Sequence, residues 1–212
     1  YYIEHQQMDE FKKLSKKALN FVFLVASPMM IYFMLFAKQG IYFLSGDAFG
    51  PAVVPMQLIM PTLLLIGITN ILGIQILVPL GYEKAVLVSE IVGAVIDLVV
   101  NALLIPVYQS SGAAIGTLLA EFAVMVVQCI ALKNEIKTAF SDIKYLKIIL
   151  AIILASLASY WVVALNLHVF ITLVISAILF FGVYGLVLII TKEKLVIEIL
   201  TQIFNKLKHR SA

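Results

Sequence analysis

Charged residues are scarce in this sequence of 212 residues, since only 13% are Asp, Glu, Lys or Arg whereas 63% are hydrophobic. A soluble domain carries about 25% charged and about 45–50% apolar residues. So few charges cannot cover so much apolar surface in water, which excludes a soluble globular fold and requires lipid as the solvent. The predicted class is therefore an all-α polytopic transmembrane helical bundle.

Residues that build disulfides, metal centres and catalytic sites are also rare. Cys129 is the only cysteine, which excludes an intrachain disulfide and a four-cysteine zinc site. The three histidines, His5, His168 and His209, are far apart in the sequence. No serine-hydrolase, phosphate-loop or zinc-protease motif occurs. We therefore expect no enzyme, no metal and no cofactor, and the clustered lysines do not indicate nucleic-acid binding.

Six segments are long and apolar enough to cross a bilayer, which requires about 20 residues each. They are Leu19–Leu44, Ala52–Leu80, Ala85–Val107, Gly112–Leu132, Tyr145–Leu165 and Val169–Thr191. This pattern predicts four parts of the chain. They are a cytosolic interfacial segment at 1–18, four spans within 19–135, an additional span pair within 136–191, and a cytosolic amphipathic tail at 192–212.

The basic residues alternate in number from one connection to the next. Four lysines precede the first span, one lies between spans two and three, four lie between spans four and five, and five basic residues follow span six. Fourteen of the 15 Lys and Arg therefore fall on one side of the membrane, and only Lys38 falls on the other. The positive-inside rule predicts that both termini are cytosolic. The two flanks are either interfacial helices on the inner leaflet or simple anchors.

The third span carries an acidic stripe. Glu90, Asp97 and Asn101 fall within about 20–40° of one line along an α-helix. A charge in hydrocarbon costs at least ~2.5–3.5 kcal/mol, so this face is expected to point into protein or water. Two interpretations remain open. The carboxyl groups line a cavity and bind a proton or cation, or the stripe is a structural contact between helices, which suits Asn101 better.

Spans two and four carry further polar and small residues. Gly112, Gly116 and Ala120 form a small-residue face that favours close helix packing. Polar residues on these spans are candidates for a substrate or ion pathway, or for contacts within the bundle. They are Asn70 and Gln75 in span two, and Glu121 and Gln128, which share a stripe with Thr117, in span four. Pro28 in span one and Pro61 in span two are predicted helix-kink sites.

The order of these features resembles the C-terminal half of polysaccharide flippases of the O-antigen and capsule type. The family belongs to the multidrug/oligosaccharidyl-lipid/polysaccharide exporter superfamily, whose fold is called MATE-like. The resemblance covers about residues 10–135. It is carried by Ser27-Pro28, Gly46-Asp47, Gln75–Lys84, Asn101–Pro106, Ser111–Thr117 and Glu121.

The resemblance implies a two-lobed transporter of the bacterial cytoplasmic membrane. Such proteins move undecaprenyl-diphosphate-linked oligosaccharide across the membrane by alternating access. The six spans would then be the last six, with an N-terminal lobe missing, and Asp97 and Glu121 would be coupling-ion carboxylates. The chain departs from the family in one respect. Its only arginine is Arg210, and no lysine lies mid-membrane to meet a diphosphate.

Two other functions remain open. A cation- or proton-coupled multidrug antiporter of the same superfamily would share the fold and would use acidic cavity residues well. A non-transporting membrane scaffold would use the polar stripes only to hold its helices together. The predicted partners are membrane lipids, the missing lobe and a lipid-linked oligosaccharide, with no nucleic acid.

Overall fold

The computed structural model describes residues 7–133 and 143–210, apart from the side chains of residues 203–210. Throughout this part the chain is helical and has no strand. The α-helices are α1 (Met8–Leu35), α2 (Ala37–Ser45), α3 (Val53–Ile59), α4 (Thr62–Asn70), α5 (Glu83–Tyr108), α6 (Ser110–Leu132), α7 (Tyr145–Tyr160), α8 (Val169–Ile190) and α9 (Lys194–Arg210). Asp47–Ala52 and Trp161–Leu165 are 3₁₀ segments, and Ile71–Leu77 is a π-helical segment.

Six helical stretches of the described residues are long and apolar enough to cross a membrane. They are Met8–Leu35, Asp47–Leu77, Glu83–Tyr108, Ser110–Leu132, Tyr145–Leu165 and Val169–Ile190. The predicted all-α polytopic class is confirmed.

The chain divides into two compact units, Tyr1–Ile143 and Lys144–Ala212. The first unit holds four of the membrane-spanning stretches and the second holds two. The predicted boundary between residues 135 and 136 lies outside the described residues.

The first span differs in position from its prediction. Helix α1 begins at Met8 and passes through Pro28 without an interruption, and the break falls at Phe36 instead. Its 28 residues extend about 42 Å, longer than the ~30 Å hydrocarbon layer. The interfacial location of residues 1–18 and the kink at Pro28 remain predictions.

The break at Phe36 frees backbone carbonyls at the end of α1, and a side chain from α3 satisfies one of them. The amide nitrogen of Gln57 donates to the carbonyl oxygen of Met34 at 3.0 Å. In a continuous helix this carbonyl would have accepted from residue 38. The contact therefore fixes the end of α1 against the second span.

The backbone hydrogen bonds of the second span change their spacing beside Pro61, while the predicted kink there remains a prediction. Proline has no amide hydrogen, so the helix changes there to bonds three residues apart, as in Leu63 N–H to the Met60 carbonyl at 3.0 Å. The hydroxyl of Thr62 donates to the carbonyl of Ile59 at 2.6 Å and satisfies an acceptor beside the break. Helix α4 then begins at Thr62.

A π-helical segment follows α4 directly and completes the second span. At its end, the backbone N–H of Val78 donates to the carbonyl of Gly73, five residues earlier, at 3.0 Å. The wider turn changes which residues share a face after Ile71, and such segments occur often at functional sites.

Helix α6 is the centre of the first unit, where it contacts α3, α4, α5 and the π-helical segment. Its contact with α5 depends on glycine. A Cβ on Gly112 would lie 2.5 Å from the backbone oxygen of Leu104, and a Cβ on Gly93 in α5 would lie 2.5 Å from a Val124 methyl group. The small-residue face predicted for span four is therefore at the helix contact.

In the second unit, α7 packs on α8, and α9 follows α8 after a tight turn. The turn contains Lys192 at a φ of 51°. The N–H of Glu193 donates back to the carbonyl of Leu188 at 2.9 Å, which closes the helix end. Lys147 of α7 donates to the carbonyls of Thr191 and Lys192 and lies 3.9 Å from the Glu193 carboxylate.

Candidate functional site

Two adjoining cavities lie within the first unit and are lined by polar side chains. The first has a volume of about 180 Å³. It lies between α4, the π-helical segment, α5 and α6. Its lining residues are Ile66, Thr69, Asn70, Gly73, Ile74, Val86, Glu90, Glu121 and Gln128.

The second cavity lies between α5 and α6 and has a volume of about 240 Å³. Its lining residues are Glu90, Gly93, Ala94, Asp97, Thr117, Ala120, Glu121 and Val124. Glu90 and Glu121 line both cavities, so the two form one feature, here named the acidic cleft.

The acidic cleft brings together residues from three predicted polar stripes. Glu90 and Asp97 come from α5, Glu121 and Gln128 from α6, and Asn70 from α4. They meet because α5 and α6 are consecutive antiparallel helices whose small residues allow close contact, while α4 packs on α6. The predicted acidic face of span three therefore points into a cavity.

Asn101 lies beside the acidic cleft and lines neither of these two cavities. Its side-chain oxygen contacts Gly116 so closely that any Cβ there would overlap it. That same Cβ position is 3.4 Å from an Asp97 carboxyl oxygen. One buried oxygen of Asp97 and the Asn101 side-chain oxygen have no hydrogen-bond partner among the described residues. This contact with α6 supports the structural interpretation of Asn101.

Gln75 is not part of the acidic cleft. Its side chain is exposed and lines neither cavity, although Gly73 two residues earlier lines the first one. Gln75 was a candidate because it is a polar residue of span two, and the wider turn of the π-helical segment changes the direction of each side chain after Ile71.

Sequence reasoning missed Ser89, which is fully buried at the contact between α5 and α6. The amide nitrogen of Gln128 donates to the Ser89 hydroxyl oxygen at 3.3 Å. The two residues are 39 positions apart, so no local pattern relates them. The sequence offered only one weak indication of its role, namely that Ser89 precedes Glu90 in an otherwise apolar run.

The lining residues favour small cations. Three carboxyl groups and two amides line the acidic cleft, and neither cavity has a Lys or Arg among its lining residues. Each cavity is smaller than the roughly 300–1,000 Å³ of sites for drug-sized ligands, yet each has room for water or a small ion. No three His, Cys, Asp or Glu side chains within the described ranges are grouped closely enough to hold one metal ion.

The chain matches no protein-family model, and searches against curated proteins and solved structures returned no significant match. The fold and the cleft therefore define the class: an all-α polytopic membrane protein with an acid-lined cavity in its first unit.

Proposed function

We propose that this protein is a membrane transporter in which the acidic cleft binds the coupling ion, a proton or a small monovalent cation. The observation that carries the proposal is the convergence of Glu90, Asp97 and Glu121 on a cleft without lining basic residues. Carboxyl groups within membrane spans are costly, and they commonly mark ion pathways and proton relays.

The cargo proposed is a lipid-linked oligosaccharide, moved from the inner to the outer leaflet of a bacterial cytoplasmic membrane. Support for this cargo comes from the sequence resemblance to polysaccharide flippases over about residues 10–135. The acidic cleft is too small for such a molecule and would repel its diphosphate. The cleft therefore serves the ion, and the cargo binds elsewhere in the transporter.

The proposed orientation places both termini in the cytosol. Support comes from the distribution of the 15 basic residues, of which only Lys38 falls on the outer side when six spans are counted. The residues that the structure describes contain six helices long and apolar enough to cross a membrane, which is the number of spans used in that distribution.

Neutral isosteres of the carboxyl groups test this function in the full-length gene product. Asp97→Asn and Glu121→Gln keep the shape of each side chain and remove its charge and its proton. We expect each variant to lower export of lipid-linked oligosaccharide at least about tenfold, because a charge-assisted contact contributes about 1.5–3 kcal/mol. The measurement is the amount of oligosaccharide exposed at the outer leaflet.

Gln75→Leu is the matched control, since Gln75 is a polar residue of the same unit that lines neither cavity. Its export should equal that of the wild type. Unchanged export in both carboxyl variants, at normal protein levels, would contradict coupling through the cleft and favour the membrane scaffold.

A cation- or proton-coupled multidrug antiporter is the second candidate. The observation that favours it is the absence of a lining Lys or Arg, since a purely acidic lining attracts cations and not a diphosphate. Efflux of a fluorescent organic cation from cells, lost in Glu121→Gln with oligosaccharide export unaffected, would select this function over the flippase.

A further inference from the structure

Gln128 is an unusual residue of the acidic cleft because it is both polar and almost completely buried. Only 1% of its surface is exposed, and it lines the first cavity together with Glu90 and Glu121. Glu121 and Gln128 are seven residues apart on α6, so they lie on one face of that helix, two turns from each other. Burial of an amide is costly unless its hydrogen bonds are made.

A short chain of hydrogen bonds fixes which way the Gln128 amide points. The Ser89 hydroxyl lies 2.7 Å from the carbonyl oxygen of Val86, which can only accept, so the hydroxyl donates its hydrogen there. Towards Gln128, Ser89 can then only accept, which it does at 3.3 Å from the amide nitrogen. The nitrogen of Gln128 must therefore face Ser89, and its oxygen is left on the other side.

Gly73 of the π-helical segment closes the other side of this amide. A Cβ on Gly73 would lie 2.9 Å from the amide nitrogen of Gln128 and 3.6 Å from the amide oxygen. Because the amide lies this close to the glycine, any larger residue there would displace it. The Gln128 side chain is thus held between Ser89 of α5 and Gly73.

The amide oxygen of Gln128 is buried and has no hydrogen-bond partner among the described residues. An unsatisfied buried acceptor costs about 1–3 kcal/mol, which favours any state of the cleft that supplies a donor. An ionised carboxylate only accepts, whereas a protonated carboxyl carries an O–H donor.

We propose that Gln128 is a positioning residue for the coupling proton, its amide oxygen accepting a hydrogen bond from a protonated carboxyl of the acidic cleft. This role rests on the proposed function of the cleft and goes further by naming the ion as a proton. It assigns Ser89 and Gly73 the task of holding the acceptor in place.

The titratable groups around Gln128 are few. Among the lining residues of its cavity they are Glu90 from α5 and Glu121 from α6, while α4 and the π-helical segment contribute none. Asp97 lies in the adjoining cavity, and Cys129 follows Gln128 on α6. The proton is thus held on Glu90 or Glu121.

Infrared difference spectroscopy of the full-length protein in lipid nanodiscs measures the protonated-carboxyl band as the pH is changed. Loss of the band in Glu90→Gln or Glu121→Gln assigns it to the cleft. In Gln128→Leu the acceptor is gone and the protonated form loses its hydrogen bond. We expect the midpoint of the titration to move about one unit to lower pH.

Ser89→Ala provides a milder variant that keeps Gln128 and removes only the group that orients it. The amide can then rotate, so the midpoint should fall by a smaller amount than in Gln128→Leu. If Gln128→Leu does not fold, Ser89→Ala decides the question alone. Gln75→Leu is the matched control, and its midpoint should equal that of the wild type.

Three results would overturn, in turn, the role of Gln128, the identity of the ion as a proton, and the proposed function of the cleft. A band assigned to the cleft whose midpoint is unmoved in both Gln128→Leu and Ser89→Ala contradicts the role of Gln128 and leaves the proposed function standing. A sodium-dependent midpoint that becomes sodium-independent in Gln128→Leu shows that the oxygen binds a metal ion and not a proton donor. A band unaffected by Glu90→Gln, Asp97→Asn and Glu121→Gln contradicts the proposed function itself.

Discussion

Two consecutive pairs of membrane-spanning helices, α5–α6 in the first unit and α7–α8 in the second, differ in how far their polar side chains are satisfied. In α7–α8 two serine hydroxyl groups are satisfied within their own helix. Ser156 donates to the Ile152 carbonyl at 2.8 Å, and Ser176 donates to the Leu173 carbonyl at 3.1 Å. In α5–α6, by contrast, Asp97 and Gln128 each have a buried oxygen without a hydrogen-bond partner among the described residues.

The glycines of the two helix pairs also differ in how closely they are packed. Gly93, Gly112 and Gly116 in α5–α6 lie against atoms of the neighbouring helix, whereas Gly182 and Gly185 in α8 have open space around them. One pair therefore uses glycine to bring polar groups together around a cavity, while the other consists of largely apolar spans. The comparison indicates that polar content alone does not locate a site. Polar side chains that converge from several helices on one cavity do.

The largest effect on stability is expected for Gly112→Ala. The new methyl group would lie 2.5 Å from the backbone oxygen of Leu104, which cannot rotate away as a side chain can. We expect the free energy of unfolding to fall by about 2–3 kcal/mol, as for other overpacked helix contacts. Reversible denaturant titration in mixed micelles measures it.

Gly185→Ala is the matched control for this change, since nothing lies within 4 Å of its Cβ position. Alanine favours helix by up to about 1 kcal/mol over glycine, so this variant should be neutral or more stable. Equal destabilisation by the two variants would contradict the distinction between the helix pairs.

A smaller effect is expected for Lys147→Met in the second unit. Lys147 bonds the last carbonyls of α8 and lies 3.9 Å from the carboxylate of Glu193, which is only 2% exposed. Its loss should lower the free energy of unfolding by about 1–2 kcal/mol, because buried acceptors lose a donor.

The neighbouring Lys144 is exposed, so Lys144→Met serves as the control and should change stability by less than about 0.5 kcal/mol. Oligosaccharide export should be unchanged in both folded variants, since neither lysine lies in the first unit. If Lys147→Met abolished export at normal protein levels, the coupling function could not be confined to the acidic cleft.

Much of the fold follows from the sequence, because spans depend on length and hydropathy. The count of six was confirmed, and the change of hydrogen-bond spacing beside Pro61 is what its missing amide hydrogen requires. The break at Phe36 was not anticipated, since Phe36 and its two neighbours Leu35 and Ala37 are apolar residues that continue a helix without difficulty. Contacts from Gln57 in another span stabilise it, and such contacts have no local signal.

The same limit applies to the site. The helical spacing of Glu90 and Asp97 indicated a cavity-facing stripe, and the structure places both in the acidic cleft. Gln75 was a candidate only because it is a polar residue of span two, and its side chain is exposed and lines neither cavity. The bond between Ser89 and Gln128 joins two helices, and its importance appears only once their packing is known.

The most direct test of the acidic cleft is carbodiimide labelling of the full-length protein in its membrane, followed by mass spectrometry. An apolar carbodiimide modifies protonated carboxyl groups that it can reach within the bilayer. We predict modification at Glu90, Asp97 or Glu121, decreasing as the pH rises, with no modification of the ion-paired Glu193. Absence of label from all three cleft residues, or labelling that does not depend on pH, would contradict a proton-binding cleft.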